Sequence, residues 1–390
     1  MLIMSLQESS VKVLGDLAQF DVTGFPLLFG GGKKSLRFSF IYPAVGERGG
    51  CFNLFKVLQS NFCKNDCFYC ANRKSRNCIR RTSSPEQLAR LFLEYYRKGW
   101  VKGLFLSSGI YPSADTAQER MLETITILRK RYGYQGYIHF KILPGADLDF
   151  IPAAGKLADR LSINLEAAGA SFLKDLSPNK NYNNDLLLRL KRIVQFDRRS
   201  KLASGVTTQL VVGASKERDE QILSLTQNLY REFNLRRVYY SSFIPIHGTP
   251  LENQLPSSPL REVRLYQADF LIRKYGFDFN ELIFENGNLS LEYDPKMNWA
   301  LHHLDKFPIE INNAGFEQLL RIPGVGRISA KRIIDSRRQG KPQDLKTLQK
   351  FGVVTKRARN FITLNGKYFP SGKVSPGKTV NKQLFLWEEI

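Results

Sequence analysis

Acidic residues are scarce in this chain: 36 Asp and Glu stand against 58 Lys and Arg, a formal charge of +22 over 390 residues. An excess of that size points to a polyanionic partner, without separating DNA from RNA or from an anionic membrane surface. Long apolar runs are lacking too. No stretch of about 18 apolar residues occurs, so no membrane-spanning helix is expected. The opening "MLIMSLQESSVKVL" lacks a basic leader followed by an apolar stretch and a small-residue cleavage site, which argues against secretion and makes the cytoplasm the expected location. Cysteine is limited to five residues, too few and too unevenly placed for a disulfide framework. The glycine run "FGGGKKS" near Gly30 does not meet the G-x-x-x-x-G-K-[ST] pattern of a phosphate loop and reads as a basic turn.

What the chain does have is a repeat of short apolar runs and amphipathic stretches. After an irregular leader over residues 1–50, strands are predicted at 54–60, 102–108, 137–143, 160–166, 205–213 and 237–245. Helical patterns lie between them. "SPEQLARLFLEYYRKG" opens with Ser84 as N-cap and Pro85 at the first helical position, and Gly99 stops it. Six strand–helix repeats with nearly continuous apolar strands predict an α/β fold with a parallel sheet, open or curled into a partial barrel, over residues 51–276. Residues 277–308 read as a connecting segment. From Lys306 to Ile390, 17 Lys and Arg face 6 Asp and Glu, an excess of eleven, so half of the net charge sits in a small basic module predicted to be all-α.

Three of the five cysteines crowd into "NFCKNDCFYCANR": Cys63, Cys67 and Cys70, spaced C-x3-C-x2-C at the end of the first predicted strand. A metal is the natural reading. Zinc would take four ligands, with Cys51, Cys78 or His139 completing the set, but zinc sites usually show paired short spacings. Three thiolates on a short loop suit a [4Fe–4S] cluster with one iron left free of protein ligand.

The triad, with Tyr69 just before its last cysteine, resembles the radical S-adenosylmethionine (SAM) superfamily. The resemblance extends to "GLFLSSG", "GYIHFKILPGA", "RLSIN", "TQLVVGA" and "RVYYSSFIP", and implies a partial (β/α)6 TIM-like barrel. It also implies that SAM chelates the free iron and is cleaved reductively to a 5′-deoxyadenosyl radical that abstracts hydrogen from a substrate. Ser107, Ser108 and Gly109 stand where the family usually has a Gly-Gly-Glu-like turn, a departure from the pattern. Asn164 and Glu166, two residues apart and so facing one way, are implied contacts of the ribose and the methionine end. Gln209, Val211 and Gly213, together with "FIPIHGTPLE" and its Pro245, are implied edges of the adenine site. Lys141 would meet the methionine carboxylate or pair with a neighbouring acid. His139, two residues earlier, reads as a core histidine.

The basic module carries "FEQLLRIPGVGRISAKRIIDSRR", which resembles a helix-hairpin-helix motif with its hairpin at Pro323, Gly324, Val325 and Gly326. Its glycines let the backbone approach a phosphate at a helix N-terminus, beside Arg327, Lys331 and Arg332. A weaker copy, "DLKTLQKFGVVTKRARNFI", contributes Gly352, Lys356 and Arg357. The domain limits expected are 309–370 for this tandem module and 371–390 for a tail. In that tail, Gln383–Trp387 resembles the peptide by which replication and repair proteins dock on the sliding clamp.

Together these motifs resemble a family of radical SAM proteins of DNA modification or repair that end in helix-hairpin-helix modules. That resemblance implies DNA backbone binding with little sequence preference, an electron donor such as flavodoxin or ferredoxin, and a uracil-DNA-glycosylase-like protein as a neighbour. Two other readings stay open: a radical enzyme that modifies RNA, and an iron–sulfur helix-hairpin-helix DNA glycosylase. The latter's cluster would follow the hairpin and use four cysteines, whereas here the triad precedes the hairpin.

Overall fold

The computed structural model describes residues 6–18, 40–45, 50–338 and 340–370. The chain divides into two compact units: residues 1–217 with 228–258, and residues 218–227 with 259–390. The clamp-like peptide Gln383–Trp387 and the glycine run near Gly30 lie outside the described residues.

The first unit is built on a seven-stranded sheet. Its strands are β1 (Ile41–Val45), β2 (Cys51–Leu58), β3 (Gly103–Ser107), β4 (Tyr137–Lys141), β5 (Arg160–Ser162), β6 (Val206–Val212) and β7 (Arg237–Ser242), in that spatial order. β2 to β7 run parallel, with registers such as Phe55 opposite Leu104 and Leu161 opposite Val206. β1 is antiparallel to β2, with Ile41 opposite Phe55. The sheet is a curled half-barrel, and its parallel strands are buried along most of their length, as helices on the outer face require.

Local chemistry explains the helices between strands. Pro85–Arg97 starts with a reciprocal cap: Ser84 Oγ accepts the Gln87 N–H at 3.2 Å, and Gln87 Oε1 accepts the Ser84 N–H at 3.1 Å. Its apolar face puts Leu88, Phe92 and Tyr95 against the sheet. There Phe40 stacks on Tyr95 with centroids 5.2 Å apart and meets Phe55 edge-on at 5.6 Å. Each such ring contributes roughly 1.5–3 kcal/mol through burial.

One sequence expectation is corrected in this unit. Residues 1–50 are not an irregular leader throughout, because Leu6–Ala18 is a helix and Ile41–Val45 a strand. Leu14 and Ala18 are fully buried, so tertiary packing stabilises a helix whose local signals are weak. Pro43 hid the strand, since proline is tolerated there only because β1 is an edge.

The second unit holds the helix Pro259–Tyr275, which therefore does not close the half-barrel unit as the sequence suggested. A small antiparallel pair (Phe284–Glu285 with Asn288–Leu289) and the helix Pro295–Leu301 follow. Four short helices come next: Phe316–Arg321, Arg327–Ser336, Leu345–Lys350 and Thr355–Ala358. The module is not all-α. Ile309–Glu310 pairs parallel with Ile362–Leu364, which pairs antiparallel with Lys367–Tyr368. Strands of two or three residues carry too little alternation to be read from a sequence.

Buried charge organises this unit. Asp294 caps Pro295–Leu301 by accepting the Met297 N–H at 3.2 Å, and its carboxylate pairs with Arg357. Burial alone would raise its pKa, but the Arg357 and Arg264 guanidiniums outweigh burial and hold the carboxyl below its usual 3.8. A depressed folded-state pKa contributes stability above the unfolded value, lost as pH falls through the folded one. The unfolding temperature should therefore be insensitive to this group near neutrality and drop below about pH 4. In Asp294→Asn that acid-side slope should be shallower, as thermal denaturation at stepped pH would record.

Candidate functional site

β2 feeds directly into the cysteine loop, and the loop is tied down before its thiols are placed. Asn61 donates from Nδ2 to the Ile79 carbonyl at 2.7 Å and accepts the Arg81 N–H at 2.6 Å. Asp66 accepts from Arg73 Nε at 2.8 Å, from Ser75 Oγ at 2.6 Å and from the Ser75 N–H at 3.0 Å. The Arg73 contact, more than any other, holds the Asp66 carboxyl far below the usual range. On this frame Cys63, Cys67 and Cys70 all line one cavity. Ser177 Oγ lies 3.2 Å from Cys67 Sγ, and the Asn72 N–H donates to Cys70 Sγ at 3.4 Å. Burial, then the neighbouring Cys67, pushes the Cys70 thiol up to about 12.

The other walls come from the carboxyl ends of the strands, where barrel-type folds gather their chemistry. Ser107, Ser108, Gly109, Lys141, Asn164, Glu166, Gln209 and Val211 line the same cavity as the cysteines and Tyr69. Pro245 does not; its neighbours Ile244 and Ile246 do. The expected contact there is thus shifted by one residue, because alternate residues of an extended segment face opposite ways. Gly109 is required by close approach: a Cβ there would sit 2.2 Å from the Phe62 carbonyl oxygen.

Glu166 adopts a left-handed backbone, φ +67°, uncommon for a residue with a side chain. Two bonds to β6 hold it there: its N–H reaches the Gln209 carbonyl at 3.0 Å, and its carbonyl accepts the Val211 N–H at 2.7 Å. The carboxylate is thereby set into the cavity, 3.4 Å from Lys180 Nζ, with both side chains largely buried. Burial opposes charge on Lys180, yet Cys67, Glu166, Cys70 and Cys63 together hold the ammonium well above the usual lysine range. Burial, and after it Glu166, raises the Tyr69 hydroxyl well above its ordinary value.

Sequence reasoning missed Lys180. It follows "LSPN" in a polar loop far from any motif, and only the fold brings it to the cavity. Ser241 and Ser242 at the end of β7 were also missed as lining residues, although their place at a strand end is a signal. His139 is not part of the cavity. Its Nε2 sits 2.8 Å from Ser162 Oγ, its ring meets Phe105 edge-on, and burial keeps it neutral. Neither Cys51 nor Cys78 lines the cavity.

In the second unit the two hairpins pack on one another. Gly324, at φ +85°, accepts the Val354 N–H at 2.8 Å, and a Cβ on it would lie 2.5 Å from the Val354 carbonyl oxygen. Gly352 has the matching φ of +87°. Pro323 and Val325 are buried, and the Val325 carbonyl accepts Lys296 Nζ at 2.6 Å. Gly326 precedes the helix Arg327–Ser336 without a side-chain cap. Lys331 and Lys356 are exposed. Arg327 donates to the Lys274 carbonyl at 2.9 Å, and Arg332 reaches the Phe351 carbonyl at 3.4 Å. Arg357, expected from the sequence to face phosphate, is engaged by Asp294, because a buried carboxylate requires a partner. Gly324→Ala should separate the hairpins, lowering stability by about 1–3 kcal/mol. Chemical denaturation of the variant would read this loss, and unchanged stability would refute the packing described.

Residues 57–226 match the model of the family described as the Radical SAM superfamily. Among solved structures the chain is similar to methylornithine synthase, at 17% identity and a TM-score of 0.46, covering 55% of this chain and 60% of that one. It is similar to the [FeFe]-hydrogenase maturase HydG from Carboxydothermus hydrogenoformans at 16% identity and a TM-score of 0.45, covering 55% and 50%. A radical SAM methyltransferase from Sphaerobacter thermophilus is matched at 15% identity and a TM-score of 0.41, covering 60% and 75%. The chain thus spans about half to three fifths of the first two of these proteins. No curated protein matches it. Among the described residues no helix is long and apolar enough to cross a membrane.

Proposed function

Taking as premise that residues 57–226 are a radical SAM domain, the enzyme type that uses a [4Fe–4S] cluster and SAM, we propose that the chain cleaves SAM reductively and acts on DNA in modification or repair. The observation that carries the enzymatic half is the cavity in which three cysteines meet the polar ends of the strands. The donor set fits a cluster. Three sulfurs from one short loop share one cavity. A cluster asks for one thiolate per iron rather than three on one ion.

Cys63, Cys67 and Cys70 would hold the cluster. When bound, it supplies the electron that breaks the sulfonium C5′–S bond of SAM, giving methionine and a 5′-deoxyadenosyl radical that takes a hydrogen atom from the substrate. The chain's own residues do the rest. With Cys67 deprotonated, the Ser177 hydroxyl donates to its sulfur, as the Asn72 N–H does to Cys70. Lys180 and Lys141 offer cations for the methionine carboxylate; Glu166, Asn164 and the Ser107–Ser108 turn offer acceptors for its amino group and the ribose. Leu58, Leu143 and Val211 supply apolar wall that keeps water from the reacting atoms.

The DNA half is supported by the paired hairpins. The uncapped N-terminus after Gly326 leaves backbone N–H groups for a phosphate, with the exposed Lys331 and Lys356 on the same module. Such contacts read backbone rather than base. Flavodoxin or ferredoxin is the electron donor in this reading, a uracil-DNA-glycosylase-like protein shares the pathway, and the tail peptide Gln383–Trp387 docks on the sliding clamp.

The test is anaerobic reconstitution of the full chain with iron, sulfide, dithionite and SAM. About four irons per chain and 5′-deoxyadenosine are expected. Deuterium should pass from labelled DNA, and not from structured RNA, into the 5′-deoxyadenosine. Duplex affinity should fall steeply with salt, and Lys331→Ala should reduce the log–log slope by about 1. Transfer from RNA alone would move the assignment to RNA, and an absence of 5′-deoxyadenosine would refute the enzymatic half.

A further inference from the structure

Two large aromatic side chains stand exposed at the rim of the cysteine cavity: Phe62 at 36% and Tyr111 at 51%. Their ring centroids lie 5.5 Å apart with planes inclined by 35°. Phe62 directly precedes Cys63, and Tyr111 directly follows Ile110; both of those neighbours line the cavity. The backbone under the pair is fixed. The Lys64 N–H bonds the Ile110 carbonyl at 2.7 Å, the Gly109 N–H bonds the Ser60 carbonyl at 2.7 Å, and the Phe62 N–H bonds Ser60 Oγ at 3.2 Å. The backbone carrying the rings is thus held in place, while the rings themselves stay exposed and in contact with one another. Around them the charge is positive: Lys64 and Arg81 are exposed, and Arg81 is tied to the Asn61 side chain next to Phe62. Asp66, the one carboxylate of the cysteine loop, is already neutralised by Arg73.

We infer that Phe62 and Tyr111 form a stacking platform for one unpaired nucleobase at the cavity mouth. This rests on the reading that the chain acts on nucleic acid. A radical made inside the cavity reaches only atoms in contact with it, and the atoms of a paired nucleotide are shielded within the duplex. The target must leave the stack, as it does for other enzymes that work on bases. An exposed aromatic face replaces the stacking that is lost, and flanking cations hold the adjoining phosphates. The substrate class is thus a nucleotide in a single strand, or one extruded from a bulge or mismatch.

The experiment uses the full, reconstituted chain with oligonucleotides carrying 2-aminopurine, in single strands and at a bulge in a duplex, and follows both fluorescence and anisotropy. Binding should quench the probe. Phe62→Leu and Tyr111→Leu should each weaken single-strand binding roughly ten-fold and relieve the quenching, while fully paired duplex binding changes less than about two-fold. Phe62→Trp should keep both signals, which separates aromatic stacking from mere apolar contact. Iron content equal to the parent's certifies each variant. Leucine variants that bind and quench like the parent would overturn the platform while leaving duplex binding, and the broader reading, intact. If neither single strand nor duplex binds, that reading fails and the platform fails with it.

Discussion

Cys67→Ala should bring cluster iron from about four atoms per chain to near zero, and 5′-deoxyadenosine to the buffer background. The reason is geometric as well as chemical. Cys67 is the buried member of the triad, its sulfur sits against Ser177, and the next residue is anchored by the Phe68 N–H to the Leu176 carbonyl at 2.8 Å. Beyond Cys63 and Cys70, which are ligands themselves in this reading, no thiol lines the cavity to replace it. Cys51→Ser and Cys78→Ser, neither of which lines the cavity, should keep iron and turnover. Iron analysis and product chromatography on the three variants decide the matter. Full iron and turnover in Cys67→Ala would remove the cysteine cavity from any role in catalysis.

The triad was legible because its ligands are local: three thiols in eight residues declare themselves wherever the loop goes. The strand-end polar residues were legible for a related reason, since period-two alternation predicts that Asn164 and Glu166 face one way. Lys180 was not, because no spacing links it to the cysteines or to Glu166; tertiary folding alone makes the pair. The left-handed backbone of Glu166 was also hidden, as it depends on pairing with Gln209 and Val211 on β6. In the second unit the Pro-Gly-Val-Gly signature marked the hairpin, while the positive φ of Gly324 within it emerged only from the structure. The counter-ion of Arg357 lies 63 residues away at Asp294, so a basic residue read as available for phosphate proved committed within the protein.

Lys180→Met should cost about 3–5 kcal/mol, the expected penalty for stranding one member of a buried ion pair. The side chains of Lys180 and Glu166 are only 8% and 7% exposed, so water cannot take the missing partner's place. The loss should show in chemical denaturation of the cluster-free chain. Adding Glu166→Gln to Lys180→Met should restore much of it, because no lone charge then remains buried. In the reconstituted chain Lys180→Met should also weaken SAM binding, since a cation facing the cavity is gone. Unchanged stability and unchanged SAM affinity together would show that the pair neither braces the fold nor meets the cofactor.

Among the described residues the sheet stops at β7, which does not pair with β1. A fully closed cylinder admits only what can be threaded through its mouth, which suits small metabolites and chain ends. A scaffold open along one side imposes no such topological condition. On the proposal that the chain acts on DNA, a covalently closed circle carrying an unpaired nucleotide should be as acceptable as a linear fragment carrying one.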